Sequence, residues 1–409
     1  MDALRKVMKA VLKLYAPDET ERKKAKLSVE SFLKALKLKN AFVGGSYAKG
    51  TWTKNLSDVD VFIRYDFERF KERELSELLK ASLKHFKEFE QVHGSRDYFR
   101  LKHKGLWFEL VPILNISKAS MAKNITDISP LHVKWFNSRA TKQVREAVIL
   151  LKSLLKANAI YGAESFREGI SGYVCEILGV HYNSFPELVK GIASWKEQEV
   201  IDTENRFNTA QEAIYSLNAS KLGPLIVIDP VQASRNAAAA LSAKNYKSLI
   251  KLAKELLRTP QERLFIPNPA SEKKLKAEHD FLVWIEMELL EGKQDIVITK
   301  AVKVHKYIEK ESIDYGFRIM DQGWQQNQGR LESYFVFEGR LEAQAELIGP
   351  PMHLKQHASE FKKKHKRVVV KAGRLIGLEK RRFTEPKSYV EYLLKTTYAK
   401  SRIKGYCIR

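Results

Sequence analysis

The sequence predicts a multidomain α+β protein: a small head built on a mixed sheet, a helical middle, and an α+β body that carries a tail insertion. Three observations predict it. The chain has 409 residues, 44% of them apolar, which is room and material for about three domains of ordinary size. Apolar periodicity changes three times along the chain, from helical to alternating near residue 40, back to helical at 142, and to strands again past 269. Glycine and proline fall at the joints: Ala16-Pro17, Gly44-Gly45, the stretch 265–269, and Gly349-Pro350-Pro351.

Taken in order, residues 2–15 and 18–36 read as helices, the second opened by Asp18 as N-cap with acids in its first turn. Phe42-Val43 is a short strand that runs into Gly44-Gly45-Ser46, and 59–64 is a second strand. The lysine-rich stretch 67–93 reads as one helix. Segments 98–102 and 106–112 flank Lys104-Gly105, whose glycine suits a tight hairpin, and the head ends at 141. From 142 to 258, Val144, Val148, Leu151 and Leu155 recur at helical spacing while Arg145, Lys152 and Lys156 form the opposite stripe. The body, 259–310 and 368–409, is expected to hold strands at 281–286, a helix near 299–310, and a last helix near 389–397. Further strands are expected at 315–320 and 333–338. The tail, 311–367, includes a strongly basic helical segment at 352–367.

A formal charge of +23 calls for a polyanionic partner, nucleic acid or an anionic membrane. The longest apolar runs are far too short to cross a bilayer, and the first fifteen residues carry lysines where a signal peptide has its apolar core. The expectation is a soluble, cytoplasmic protein. Two cysteines, Cys175 and Cys407, make neither a disulfide framework nor a zinc site, so both thiols are expected to be free.

The chemistry concentrates in "GGSYAKGTWTKNLSDVDVFIRYD", residues 44–66. Asp58 and Asp60 are two apart on a strand and therefore point to one face, where two carboxylates repel. A divalent cation relieves that repulsion, and hard oxygen ligands suit Mg²⁺. Gly45 and Ser46 supply the other half: glycine lets backbone N–H groups approach a phosphate, and the serine adds a hydroxyl. A Gly-Ser turn, a spacer of about a dozen residues and then Asp-x-Asp on a strand is an apparatus for moving a nucleotidyl group with metal ions.

This stretch resembles the nucleotidyltransferase signature of the DNA polymerase beta superfamily, and in detail that of the archaeal, class I CCA-adding tRNA nucleotidyltransferases. The likeness continues through "SPLHVKWF" (129–136), "LLKSLLKANAIYGAESFREGISGYVCE" (150–176), "VIDPVQASRNAAAALS" (227–242) and "RRFTEPKSYVEYL" (381–393). The resemblance implies a two-metal Mg²⁺ site on Asp58, Asp60 and a third carboxylate, Glu109, where the family usually has aspartate. Trp107, Glu109 and Val111 share one strand face, so Glu109 stands among apolar neighbours, as a metal ligand or an activating base does. The resemblance also places Ser129 and His132 beside the nucleotide, Lys152 and Tyr161 on its triphosphate, and Arg235 at the base edge, where a guanidinium can hydrogen-bond two acceptors. It implies CTP and ATP as substrates, the tRNA acceptor arm as partner, and a homodimer. In the basic segment, His353, Lys355, Lys362, Lys363, Lys364 and Lys366 are candidates for RNA phosphate contact.

Two other readings share these motifs. One is a related poly(A)- or oligoadenylate-type polymerase. The other is a tRNA-binding protein whose catalysis is weakened, with Glu109 as its mark.

Overall fold

The computed structural model describes residues 2–56, 58–327 and 329–409. They form two compact units, 1–268 and 269–409.

In the first unit, helices span Asp2–Tyr15 and Glu19–Leu36. The second is held by a reciprocal box: Glu21 N–H donates to Asp18 Oδ1 at 2.9 Å and Asp18 N–H to Glu21 Oε2 at 3.0 Å. Such a cap stabilises a helix by about 1 kcal/mol. The head sheet contains β1 (Ala41–Val43), β2 (Asp58–Asp66), β3 (Glu90–Val92), β4 (Tyr98–His103) and β5 (Leu106–Asn115), in the order β1-β2-β5-β4-β3. Only β2 and β5 run parallel, so the sheet is mixed, as expected. Its core face carries Val59, Val61, Phe108 and Leu110, covered by Phe32, whose ring stacks on Phe108 at 3.8 Å. The stretch 67–93 is not one helix. It makes two short ones, Phe67–Phe70 and Leu75–Ser82, and then β3. Leu75, Leu79 and Leu83 keep a buried helical stripe only through its middle, and Glu90–Val92 pairs instead with β4.

The helical part packs Ser129–Arg139, Lys142–Ala157, Gly172–Tyr182, Phe185–Ser194 and Ala243–Arg258 around one core. Leu4, Val7 and Val11 of the first helix belong to that core and not to the sheet, so the amino-terminal helix crosses the expected boundary at 141. Tyr15 Oη fixes its far end to the Phe265 carbonyl at 2.7 Å. A parallel pair, β6 (Glu199–Ile201) and β7 (Leu225–Val227), is an addition that sequence periodicity did not show.

The second unit has a four-stranded sheet ordered β14-β8-β10-β9, with β8 at Leu282–Glu288, β9 at Ile319–Asn327, β10 at Arg330–Phe337 and β14 at Gly405–Ile408. Tyr315 does not open a strand. It ends the helix Gln294–Tyr315, which Gly316 closes at φ 111°. A separate sheet, β11-β13-β12, is made by β11 (Gln344–Pro351), β12 (Val368–Lys371) and β13 (Arg374–Lys380), with the helix Lys355–Lys364. Strands β9 and β10 fall inside the expected tail, 311–367, yet they pair with each other and with β8 of the body. The segment that folds apart is therefore 344–380. Cys175 is buried, Cys407 is exposed, and both are free thiols. Among the described residues no helix is long and apolar enough to cross a membrane.

Candidate active site

The glycine turn is pressed against β2. Gly44 N–H donates to the Asp60 carbonyl at 2.8 Å, and Gly45 has φ 58°. A Cβ on Gly45 would collide with the Asp60 carboxylate, and one on Gly44 would strike the Phe62 ring. Glycine at 45 is thus required twice, by its left-handed backbone and by the close approach.

Asp60 on β2 and Glu109 on β5 are register partners, and Asp58 stands opposite Trp107. Asp58 is exposed, whereas Asp60 and Glu109 are half-buried. Burial raises the Asp60 carboxyl above its ordinary range, and the Asp58 charge adds to it while Lys49 opposes. Glu109 is pushed up to about 7 by burial and then by repulsion from Asp60 and Asp58, against the pull of Arg100. Arg100 Nε lies 3.3 Å from Glu109 Oε1, and its guanidinium covers the Trp107 ring at 4.7 Å. Among the described residues no group of three or more His, Cys, Asp or Glu side chains is gathered as an ion cage. The donor set nevertheless fits a hard divalent cation: carboxylate oxygens on adjacent strands whose charges repel one another.

A cleft of about 520 Å³ opens over this strand. Ser46, Asp58 and Asp60 line it from the head, and Lys152, Tyr161 and Glu176 from the helical part. Lys152 is no surface lysine: it is 4% exposed, and Nζ donates to Thr51 Oγ1 at 3.1 Å. Burial holds its ammonium below the ordinary lysine range, with Glu176 opposing. Burial raises the Tyr161 phenol, whose ring lies under Lys156 Nζ at 5.1 Å.

Glu109, Ser129, His132 and Arg235 are not among the residues that line this cleft. Ser129 opens the helix that carries His132. The His132 ring stacks on Tyr173 at 3.9 Å. Tyr173 Oη donates to Asp229 Oδ1 at 2.9 Å, and Arg235 Nη1 donates to Oδ2 at 2.8 Å. His132 Nε2 stands 3.4 Å from Asp229 Oδ2 but has no aligned hydrogen-bond partner among the described residues. Asp229 is fully buried; burial alone would raise its carboxyl, but His132, the Val231 N–H and Arg235 hold it at about 2. Tyr173 also lines the cleft, so the two clusters are contiguous. Asn236 caps no helix; its Oδ1 accepts from the Val227 N–H at 2.9 Å and ties β7 in place. In the second unit, Lys355, Lys362, Lys363 and Lys364 ride one helix, Lys366 follows it, and all are exposed.

Sequence reading missed Lys49, Thr51, Tyr173, Glu176 and Asp229. Each lies inside a quoted stretch, but nothing local to the sequence marks a charge as buried.

Residues 146–266 match the family described as tRNA nucleotidyltransferase, second domain, and residues 23–132 match the nucleotidyltransferase domain. The CCA-adding enzyme of Nanoarchaeum equitans is 33% identical over 382 residues, covering 90% of this chain and 92% of that one. Those of Methanosarcina barkeri and Saccharolobus islandicus are 29% and 28% identical, covering 87% and 91% of this chain and 80% and 88% of theirs. The glycine turn and the strand carboxylates lie within the first of these domains in the chain and the buried lysine within the second, and by these matches the chain belongs to the archaeal CCA-adding enzyme family of tRNA nucleotidyltransferases.

Proposed function

We propose that the chain adds CCA to the 3′ end of tRNA from CTP and ATP, without a template and with release of pyrophosphate. The observation that carries the reading is the packing of Gly45 on Asp60 at one wall of a cleft whose other wall presents Lys152 and Tyr161. Asp58, Asp60 and Glu109 would hold Mg²⁺. When bound, such ions supply Lewis-acid polarisation of phosphoryl oxygens and a more acidic primer hydroxyl.

The protein's own groups do the rest. Ser46, Lys49 and Lys152 bind the triphosphate and offset the charge that grows on departing pyrophosphate. Tyr161 closes that end of the cleft and excludes water. Ser129 and His132 flank the nucleotide, and Arg235, held by Asp229, offers its remaining guanidinium donors to the base edge. Exposed lysines at 355, 362–364 and 366 contact phosphates of the acceptor arm, a duplex read by shape and charge. The enzyme acts as a homodimer in the cytoplasm.

The test supplies CTP and ATP separately to tRNA shortened at its 3′ end. Transcripts lacking all three residues should take up CTP alone, and those ending in CC should take up ATP alone. Extension by ATP only, in runs, would favour the poly(A)-type reading. The weakened-enzyme reading draws on the Arg100–Glu109 contact. Pyrophosphate release that is absent, or unchanged in Asp60→Ala, would refute the assignment of the carboxylates.

A further inference from the structure

Behind the cleft, three elements bring together two ammonium groups and one carboxylate. Lys49 ends the short turn helix Gly45–Lys49, Lys152 lies midway along Lys142–Ala157, and Glu176 sits on Gly172–Tyr182. Lys49 Nζ donates to Glu176 Oε2 at 2.5 Å, and Lys152 Nζ is 3.7 Å from Oε1. Thr51 Oγ1 donates to the same Oε1 at 3.0 Å, and Lys152 Nζ also donates to the Thr51 carbonyl at 3.2 Å. Glu176 is 1% exposed and Lys49 8%, and all three charged residues line the cleft.

A purely structural ion pair needs one cation. Here one carboxylate serves two, so the cluster has an excess positive charge on the cleft side, beside the turn that bears Ser46. We infer that Glu176 is a positioning residue for the nucleotide triphosphate: it fixes Lys49 by a direct ion pair and keeps the buried Lys152 charged, so that the pair presents one uncompensated charge to the incoming phosphates. The inference rests on the nucleotidyltransferase reading above.

Its physical basis is the cost of burying an ammonium. A lysine removed from water sheds its proton unless an anion stands beside it. The groups facing Lys152 are Glu176, Thr51, Cys175 and Lys49, and Lys156 follows it on its own helix; Glu176 is the one carboxylate among them. Asp60 faces Lys49 and Glu176 as well, and with Asp58 it lines the cleft itself. Without the Glu176 charge, two ammonium groups would crowd one site with no anion between them, and the buried Lys152 would lose its proton more readily still. The Glu176 carboxyl is itself held low by Lys49 and Lys152 despite its burial. It therefore stays ionised throughout the working range.

The experiment measures equilibrium binding of CTP to the full chain, without primer, from pH 6 to pH 9, for the native protein and for Glu176→Gln. The native profile, which includes the titration of Glu109 near pH 7, is the baseline at each pH. Affinity of Glu176→Gln should lie within a few-fold of that baseline at pH 6 and about tenfold or more below it by pH 9, because binding then requires reprotonation of a lysine. A variant curve parallel to the native one, whatever its offset, overturns the inference, since lost packing lowers affinity without a new titration. Failure of the native protein to bind CTP overturns the parent reading and this one together. Should Glu176→Gln not fold, Glu176→Asp decides: its carboxylate is withdrawn from Lys152 by a methylene, so the slope should reappear in weaker form. Native affinity and a profile parallel to the native one in that variant overturn the inference.

Discussion

Gly45 covers the Asp60 carboxylate so closely that no side chain fits between them. The turn proposed to receive phosphate and the strand that carries the acids are therefore one rigid object, not two neighbouring motifs. Gly45→Ala forces both an unfavourable φ and a clash. Nucleotide incorporation should fall by about 10²-fold or more, and stability by roughly 1–3 kcal/mol. Single-turnover incorporation and thermal melting check this, and near-native rates in a folded variant would contradict it.

Glu109 gives a pH dependence with a definite sign. Its folded-state value, about 7, lies above its ordinary 4.5, so the folded protein binds this proton more tightly than the unfolded chain. With chelator present, that contribution to stability is whole below pH 4.5 and is lost as pH rises through 7. Glu109→Gln should then stabilise the protein at pH 8 by up to about 3 kcal/mol and have little effect at pH 4.5. Melting in EDTA at the two pH values tests it. Added Mg²⁺ should stabilise the native protein at pH 8 far more than the variant.

Asp229 behaves in the opposite sense. Held at about 2 against an ordinary 3.8, it contributes about 2 kcal/mol above pH 4, and this is lost as pH falls toward 2. Asp229→Asn should remove that stabilisation at pH 7. It should also loosen Arg235 and Tyr173, so that discrimination of CTP and ATP against UTP and GTP falls by about tenfold, a loss of near 1.4 kcal/mol. Competition assays with mixed nucleotides provide the measurement.

The exposed lysines of the second unit should act on RNA alone. Replacing Lys362, Lys363 and Lys364 together by glutamine should weaken tRNA binding and flatten its dependence on log salt by about two to three. CTP affinity should not change. An unaltered salt slope would remove these residues from the interface.

Much of this was legible beforehand because it is local. Asp58 and Asp60 share a face through the two-residue period of a strand, the glycine turn follows from backbone sterics, and the Asp18 cap follows from hydrogen bonding within four residues. The place of Glu109 on a strand beside that of Asp60 came from the family resemblance, and its register opposite Asp60 from the structure.

Tertiary structure alone decided what the charges do. Lys152 reads as one of a polar stripe with Arg145 and Lys156, yet it is buried against Thr51 and Glu176. The first helix gives its apolar stripe to the helical core, and β9 and β10 join the body sheet, because either choice satisfies the same local pattern and only long-range pairing distinguishes them. Periodicity and turn chemistry act over a few residues and are written in the chain. Burial of a charge depends on partners a hundred residues away, as Lys49 and Glu176 are, and it exists only once the chain has closed around them.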